Sequence, residues 1–269
     1  MQIKGVDVSK FQGAIDWKKV KEDGIQFALI RAGYGKETSQ KDELFEQNYE
    51  SCAANDIPCG CYWYSYALSP QEAVEEAQAC LDVIRGKKFE YPVYLDIESD
   101  AQVNLGKNII EQIASSFCST IENAGYWVGI YSYMSFLEQY LTPDIRNRYS
   151  IWVAQIGVNE TSYEYQHGVW QYSHTSSVNG INGEVDCNYC YIDYPSAIKE
   201  AGLSGYKNLS VSAQISQVYT IIKGDTLWGI SERYLGSGDK YPELKKVNFL
   251  TSDTIYPGQK IKIPKISEM

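Results

Sequence analysis

The sequence has 269 residues, long for one ordinary domain and short for two large ones. Its 34 acidic residues against 24 basic ones argue against nucleic acid as a partner, and 44% hydrophobic content supports a real core. No apolar run approaches the ~20 residues of a membrane helix, and residues 1–5 lack a basic segment leading into an apolar stretch, so neither a membrane span nor a secretory signal is expected.

Up to about residue 203, short apolar strands alternate with helical patterns. Strands are predicted at 3–8, 27–31, 60–66, 93–98, 128–132, 151–155, 169–172 and 185–188. Residues 42–54 read as a helix. Ser69-Pro70-Gln71-Glu72 looks like a helix start, and that helix runs to Arg85, stopping at Gly86. A third helix covers 108–124 and stops at Gly125. Alternating strand and helix implies a parallel sheet, and eight strands in about 200 residues imply a small α/β barrel. After Gln155 the connections are too short and too polar for full helices. The barrel is therefore expected to be irregular there, with missing outer helices and antiparallel strands.

Within that pattern Tyr91-Pro92-Val93-Tyr94-Leu95-Asp96-Ile97-Glu98 ends an apolar run in two carboxylates. On one strand, Asp96 and Glu98 would share a face ~6.5 Å apart. Such a pair raises at least one pKa and supplies a proton donor near neutral pH, as glycoside hydrolysis requires. Two solvated acids at a strand end is the bland alternative. Against it, the other strands also end in polar or aromatic residues: Asp7, Arg31, Tyr64, Tyr131, Gln155, Gln171 and Asp186. Active sites of such barrels lie at that face. The 23 Tyr and 6 Trp suit stacking on sugars, and Tyr62 alternates onto the same strand face as Tyr64.

Seven cysteines is an odd number, against a complete disulfide framework. Cys187-Asn188-Tyr189-Cys190 has metal or redox spacing but no second pair, so buried thiols are expected, as for Cys59 and Cys61. His167 and His174 read as polar loop residues. No metal and no cofactor is expected.

Residues 204–217 turn polar and read as a linker. A βααβ unit follows at 218–264, with strands at 218–222 and 260–263 and helices at 227–234 and 241–247. Residues 219–269 hold 8 basic and 6 acidic residues, so the acidity belongs to the first domain.

Taken in order, several segments of 1–200 identify a resemblance. They are Gly5-Val6-Asp7-Val8-Ser9-Lys10-Phe11-Gln12-Gly13 with Ile15-Asp16-Trp17, Phe27-Ala28-Leu29-Ile30-Arg31-Ala32-Gly33-Tyr34-Gly35, and Leu95-Asp96-Ile97-Glu98. Gly129-Ile130-Tyr131-Ser132, Ile151-Trp152-Val153-Ala154-Gln155, Val169-Trp170-Gln171-Tyr172-Ser173 and Val185-Asp186-Cys187-Asn188 complete the set. This part resembles the glycoside hydrolase family 25 lysozymes, muramidases of the Chalaropsis type. The resemblance implies an irregular (β/α) barrel of eight strands with about five helices, and hydrolysis of the β-1,4 bond from N-acetylmuramic acid to N-acetylglucosamine in peptidoglycan. It implies Glu98 as proton donor, with Asp96, Asp7 and Asp186 as the other site acids. Tyr34, Trp152, Tyr172 and Asn188 stand in the matching segments and join Arg31, Tyr62, Tyr64, Tyr131, Gln155 and Gln171 as candidate substrate-binding residues. One departure is Gly60-Cys61-Tyr62-Trp63-Tyr64-Ser65-Tyr66, where many members carry a Tyr-His-Phe-like segment; it bears on subsite preference.

The second unit resembles a lysin motif, LysM, through Tyr219-Thr220-Ile221-Ile222-Lys223-Gly224-Asp225-Thr226-Leu227-Trp228-Gly229-Ile230, Asn248 and Ile255-Tyr256-Pro257-Gly258-Gln259-Lys260-Ile261-Lys262-Ile263-Pro264. That resemblance implies binding of N-acetylglucosamine-containing glycan by Gly224, Asp225, Thr226 and Leu227 with Ile255, Tyr256 and Pro257. The expected organisation is a catalytic barrel at 1–203, a linker at 204–217 and a wall-binding domain at 218–264. Peptidoglycan is the expected partner. Synthesis in the bacterial cytoplasm and release to the wall, as for a phage or prophage endolysin, is the expected setting. A bacterial autolysin, a non-catalytic peptidoglycan-binding protein and an N-acetylglucosaminidase are the rival readings.

Overall fold

A computed structural model of the chain describes residues 2–206, 215–248, 250 and 253–264. They form two compact units, one reaching Lys199 with Ser204–Tyr206 added, the other containing Glu200–Leu203 and the described residues from 215 on. Most of the expected linker, residues 207–214, lies outside the described residues. Ser204 belongs to the first unit by its bonds: its N–H donates to the Gly125 carbonyl at 2.8 Å, and its Oγ accepts from the Trp127 N–H at 3.1 Å.

Eight strands close a barrel in chain order: β1 (Ile3–Val8), β2 (Phe27–Tyr34), β3 (Cys59–Tyr64), β4 (Val93–Asp96), β5 (Val128–Tyr133), β6 (Ser150–Ala154), β7 (Val169–Ser176) and β8 (Val185–Cys190). From β1 to β7 each neighbour is parallel; β8 runs antiparallel to both β7 and β1. The helices are α1 (Trp17–Glu22), α2 (Phe45–Ala54), α3 (Pro70–Ile84), α4 (Asp100–Val103), α5 (Lys107–Asn123), α6 (Met134–Tyr140), α7 (Pro143–Arg148) and α8 (Tyr194–Ala201). These eight exceed the five or so that the resemblance implies, and the four shortest, α1, α4, α6 and α7, are none longer than seven residues. No helix joins β6 to β7 or β7 to β8, as the polar connections suggested.

The strand period divides the side chains. Outward residues of the parallel strands, such as Trp63, Leu95 and Ile130, are fully buried under α3 and α5 with Ala77, Cys80, Ile113 and Phe117. Burial of this kind contributes about 1.5–3 kcal/mol for each large apolar side chain. Helix α3 starts as expected: Ser69 accepts from the Glu72 N–H, and Pro70 occupies the first turn. Inside the barrel, Trp152 is ringed by Tyr131, Tyr94 and Tyr62 at centroid distances of 4.3, 5.3 and 5.8 Å. Gly129 makes room for this filling, since a Cβ there would lie 2.4 Å from the Tyr94 ring.

The second unit is built from β9 (Ile215–Thr220), α9 (Leu227–Leu235), α10 (Tyr241–Val247) and β10 (Lys260–Pro264), with β9 and β10 antiparallel. Ile221, Leu227, Ile230, Leu244, Ile261 and Ile263 fill its core. Thr226 caps α9 by accepting from the Gly229 N–H at 3.0 Å. Asn248 fastens the end of α10 to β10: its Nδ2 donates to the Lys262 carbonyl, and its Oδ1 accepts from the Lys262 N–H.

Candidate active site

The register of β1 and β8 sets Asp7 directly opposite Asp186. Asp7 is 5% exposed. Its Oδ2 accepts from Asn188 Nδ2 at 2.7 Å and from Gln171 Nε2 at 2.9 Å. Each amide is fixed in turn by an aromatic donor. Tyr131 Oη–H donates to Gln171 Oε1 at 2.9 Å, and Trp152 Nε1–H donates to Asn188 Oδ1 at 2.8 Å. The amide orientations are thereby determined, and Asp7 also shares a hydrogen bond with Asp186. Four strands thus lock one carboxyl in place.

Asp96 is the last residue of β4 and is 4% exposed. The strand expected to reach Glu98 ends here, yet the chain stays pinned. The Ile97 N–H donates to the Tyr131 carbonyl at 3.1 Å, and the Ile97 carbonyl accepts from Ser132 Oγ at 2.5 Å. Glu98 is consequently held at the mouth, where Tyr133 donates a hydrogen bond to it. The following turn is closed by Gln102, fully buried, whose Oε1 accepts from the Ser99 N–H at 3.1 Å. Its Nε2 donates to Ser65 Oγ at 3.2 Å and to the Ala67 carbonyl at 3.1 Å, tying the Glu98 turn to the segment after β3. One oxygen of each acid, Asp96 Oδ1 and Glu98 Oε2, is buried with no hydrogen-bond partner among the described residues. A buried acceptor without a partner costs free energy unless a ligand satisfies it.

Burial pushes all four carboxyls upward. Asp7 stands well above its ordinary value, with the Asp186 charge adding to the effect and Asn188 and Gln171 opposing it. Asp96 is likewise well above, driven by burial, then by the Glu98 and Asp7 charges, against Arg31. Glu98 is pushed up to about 7 by burial, opposed by the Tyr133 hydrogen bond and reinforced by Asp186. Asp186 rises by burial, against its hydrogen bond with Asp7 and the His174 charge. Burial and the mutual repulsion of neighbouring acids thus favour the protonated forms across the cluster.

The pocket has a volume of about 230 Å³. It gathers ten of the sequence candidates: the four acids with Arg31, Tyr62, Tyr64, Tyr131, Trp152 and Gln171. Asn188 lies beneath, acting through Asp7. Tyr34 packs edge-on against Tyr66 at 6.1 Å, outside the lining. Gln155 shapes the loop after β6, accepting from the Ser162 N–H. Tyr172 faces the outer wall, stacked on Tyr189 at 4.4 Å. Sequence reasoning missed Ser9, Phe11 and Gln12, which line the pocket, and Tyr133. They directly follow β1 and close β5, so their strand-end position was the available signal. Phe11 is 77% exposed and lies over the Arg31 guanidinium at 4.9 Å; Asp42 clamps Arg31 from behind at 2.7 Å. Among the described residues no group of three or more His, Cys, Asp or Glu is disposed to hold a metal.

A barrel with four carboxyls at one mouth narrows the possibilities, and comparison decides the family: residues 6–181 match the model for glycosyl hydrolases family 25. The chain belongs to that family. Residues 219–264 match the LysM domain. The family 25 chain is 29% identical over 187 residues to the autolytic lysozyme of Clostridium acetobutylicum, covering 68% of this chain and 54% of that protein. It also resembles the solved structure of the modular autolysin LytC of Streptococcus pneumoniae in complex with a synthetic peptidoglycan ligand (30% identity, TM-score 0.62, 71% of this chain and 47% of that one). The bacterial lysozyme of Streptomyces coelicolor superposes with a TM-score of 0.62 at 25% identity over 76% of this chain and 97% of its own. The chain spans about half the length of the first two relatives.

In the LysM unit the expected glycan residues also carry structure. Asp225 Oδ2 accepts from the Ile222 N–H at 2.9 Å and from Tyr219 Oη at 2.8 Å, Thr226 caps α9, and Leu227 is core. Tyr256 donates its N–H to Gln259 Oε1 at 3.1 Å in the turn that carries Pro257.

Proposed function

We propose that this chain is a peptidoglycan hydrolase, an N-acetylmuramidase cleaving the β-1,4 bond from N-acetylmuramic acid to N-acetylglucosamine, with residues 218–264 binding the wall glycan. The observation that carries it is the pairing of Asp96 and Glu98 at the mouth, each with a buried carboxyl oxygen free for substrate and each shifted upward. Glu98 protonates the leaving glycosidic oxygen as general acid; a value of about 7 leaves it largely protonated below neutral pH. Asp96 stabilises positive charge developing at the sugar, by holding the 2-acetamido group as it attacks the anomeric carbon. A direct Asp96 nucleophile and an Asp96-activated water are the other two routes, and the anomeric configuration of the product separates inversion from retention. Asp7 and Asp186 hold the charge balance from the other wall.

Support comes from the lysozyme and autolysin relatives and from LytC, which was solved with a peptidoglycan ligand. The activity serves an endolysin or an autolysin equally, and proteins of both kinds stand among the similar structures. Mass spectrometry of fragments released from purified walls tests the proposal. Reducing-end N-acetylmuramic acid is expected. Reducing-end N-acetylglucosamine, or no release by the folded protein, overturns it.

A further inference from the structure

Among the described residues no helix joins β6 to β7 or β7 to β8. Gln171 and Asn188 face the interior, so Trp170, Tyr172 and Tyr189 face out. Trp170 lies 5.8 Å from Tyr172 and 6.0 Å from Tyr189. The connection from β6 folds against part of this aromatic wall, fixed by Trp170 Nε1–H donating to the Gln155 carbonyl at 2.9 Å and by Thr161 Oγ1 donating to Gln155 Oε1 at 2.8 Å. Beside it opens a cleft of about 890 Å³, to which Tyr165, Trp170, Tyr189 and Tyr191 contribute aromatic surface. Its polar groups include Gln166, Asn159 and Glu164, and its lining has no Lys or Arg.

The cleft is remote from the carboxyls. The β1–β8 register that sets Asp7 against Asp186 sets Lys4 against Tyr189, three residues or ~10 Å along the strands. Asp186 faces inward and Tyr189 outward, and the two cavities share no residue. Two rings are pre-set. Tyr165 is 41% exposed although the Arg146 guanidinium lies 3.7 Å from its ring centroid. Arg146 is only 5% exposed, its Nε and Nη1 have no hydrogen-bond partner among the described residues, and beside the Tyr165 ring it faces the Tyr163 hydroxyl. Tyr191, 39% exposed, stands edge-on to His167 at 5.4 Å, and His167 Nδ1 lies 3.0 Å from the Tyr165 carbonyl.

Rigid exposed aromatic faces set among amides and the carboxylates of Glu160 and Glu164 match the two sides of a sugar: apolar C–H faces and a rim of hydroxyl and acetamido groups. Without cations, the cleft is poorly suited to an anion. We propose that this cleft binds N-acetylglucosamine units of a wall glycan strand, as a second glycan site away from the point of cleavage; the inference rests on the peptidoglycan reading above. A second contact on the same polymer raises the effective concentration of the barrel on the wall.

The test is an amide chemical-shift titration of the full-length Glu98→Gln protein with the β-1,4 tetramer of N-acetylglucosamine. Saturable shifts of Gln166, His167 and Tyr191 are expected. Tyr191→Ala in the same background should weaken that response about tenfold, the scale of one lost aromatic contact, with the Arg31 and Asp7 signals of the two ligand-free proteins coinciding as the check on folding. Shifts confined to the carboxyl pocket or the LysM unit overturn the proposal. So does a cleft that responds to tetramethylammonium and not to the tetramer. Wall hydrolysis by the wild-type chain is scored separately. A chain that releases muramic reducing ends with a silent cleft sinks this inference alone, and a responding cleft without hydrolysis sinks the reading it rests on.

Discussion

Glu98 combines a raised pKa with an unsatisfied buried oxygen, and both properties come from its position two residues beyond the end of β4, just after the pinned Ile97. Glu98→Gln keeps the shape and removes the proton. Hydrolysis of walls should fall roughly 10²–10⁴-fold while wall binding persists, measured as released reducing ends and pelleted protein. Near-normal hydrolysis would move the acid to Asp186. The wild-type rate should decline as pH rises through about 7, where Glu98 loses its proton. The same shifts govern stability. All four acids bind protons more tightly folded than unfolded. Their contribution is complete below the ordinary carboxylate range, near pH 4, and is lost as pH rises through the folded values, about 7 for Glu98. Asp96→Asn should therefore abolish activity and yet raise Tm by a few degrees at pH 7, with the gain shrinking toward pH 4. An equal or lower Tm at pH 7 would refute the charge-crowding account.

At the scale of elements, the Glu98 turn and the segment after β3 are joined by one buried amide. Gln102→Ala strands the Ser99 N–H and the Ala67 carbonyl, a cost of about 1–3 kcal/mol each if buried. The expected outcome is a kcat about tenfold lower with KM changed less, and a displaced alkaline limb in the pH–rate profile. A loss of Tm with kinetics intact would make Gln102 purely structural. How much of this was readable beforehand follows from the range of the interactions. The period of two gave the inward and outward faces of β3 to β6, and helix caps such as Ser69 are local, so both were legible. The weak helical pattern after Gln155 correctly signalled a bare, partly antiparallel end to the barrel. Glu98 was assigned to the strand because alternation continues through it, while the ladder that defines a strand depends on β5. The opposition of Asp7 and Asp186 depends on pairing the first and last strands of the barrel, and no local pattern encodes that register. Gln155 reads as a site residue because it sits at a strand end and Tyr172 because it stands in a segment that matches the family, but the loop claims Gln155 and alternation sends Tyr172 outward.

At the scale of the molecule, the first unit keeps its own core and is bounded by Ser204, whose hydrogen bonds belong to it. A truncation after Tyr206 should fold cooperatively and turn over short soluble glycans at close to the full-length rate. Lysis of whole cells should slow if, as proposed, the LysM unit concentrates the protein on the wall. An unfolded or inert truncation would show that the units are not independent. Cutting after Leu203 should give a less stable protein than cutting after Tyr206, a difference visible in thermal melts.

One consequence concerns the thiols. All seven cysteines are buried, and all lie between Cys52 and Cys190, within the barrel. Burial pushes them above their ordinary values, so little thiolate is available to an oxidant or an alkylating reagent in the native state. The fold should be the same in reducing and oxidising surroundings. Maleimide uptake then becomes a clock for opening of the catalytic unit alone: it starts when the barrel breathes, and it stays silent however often the LysM unit unfolds.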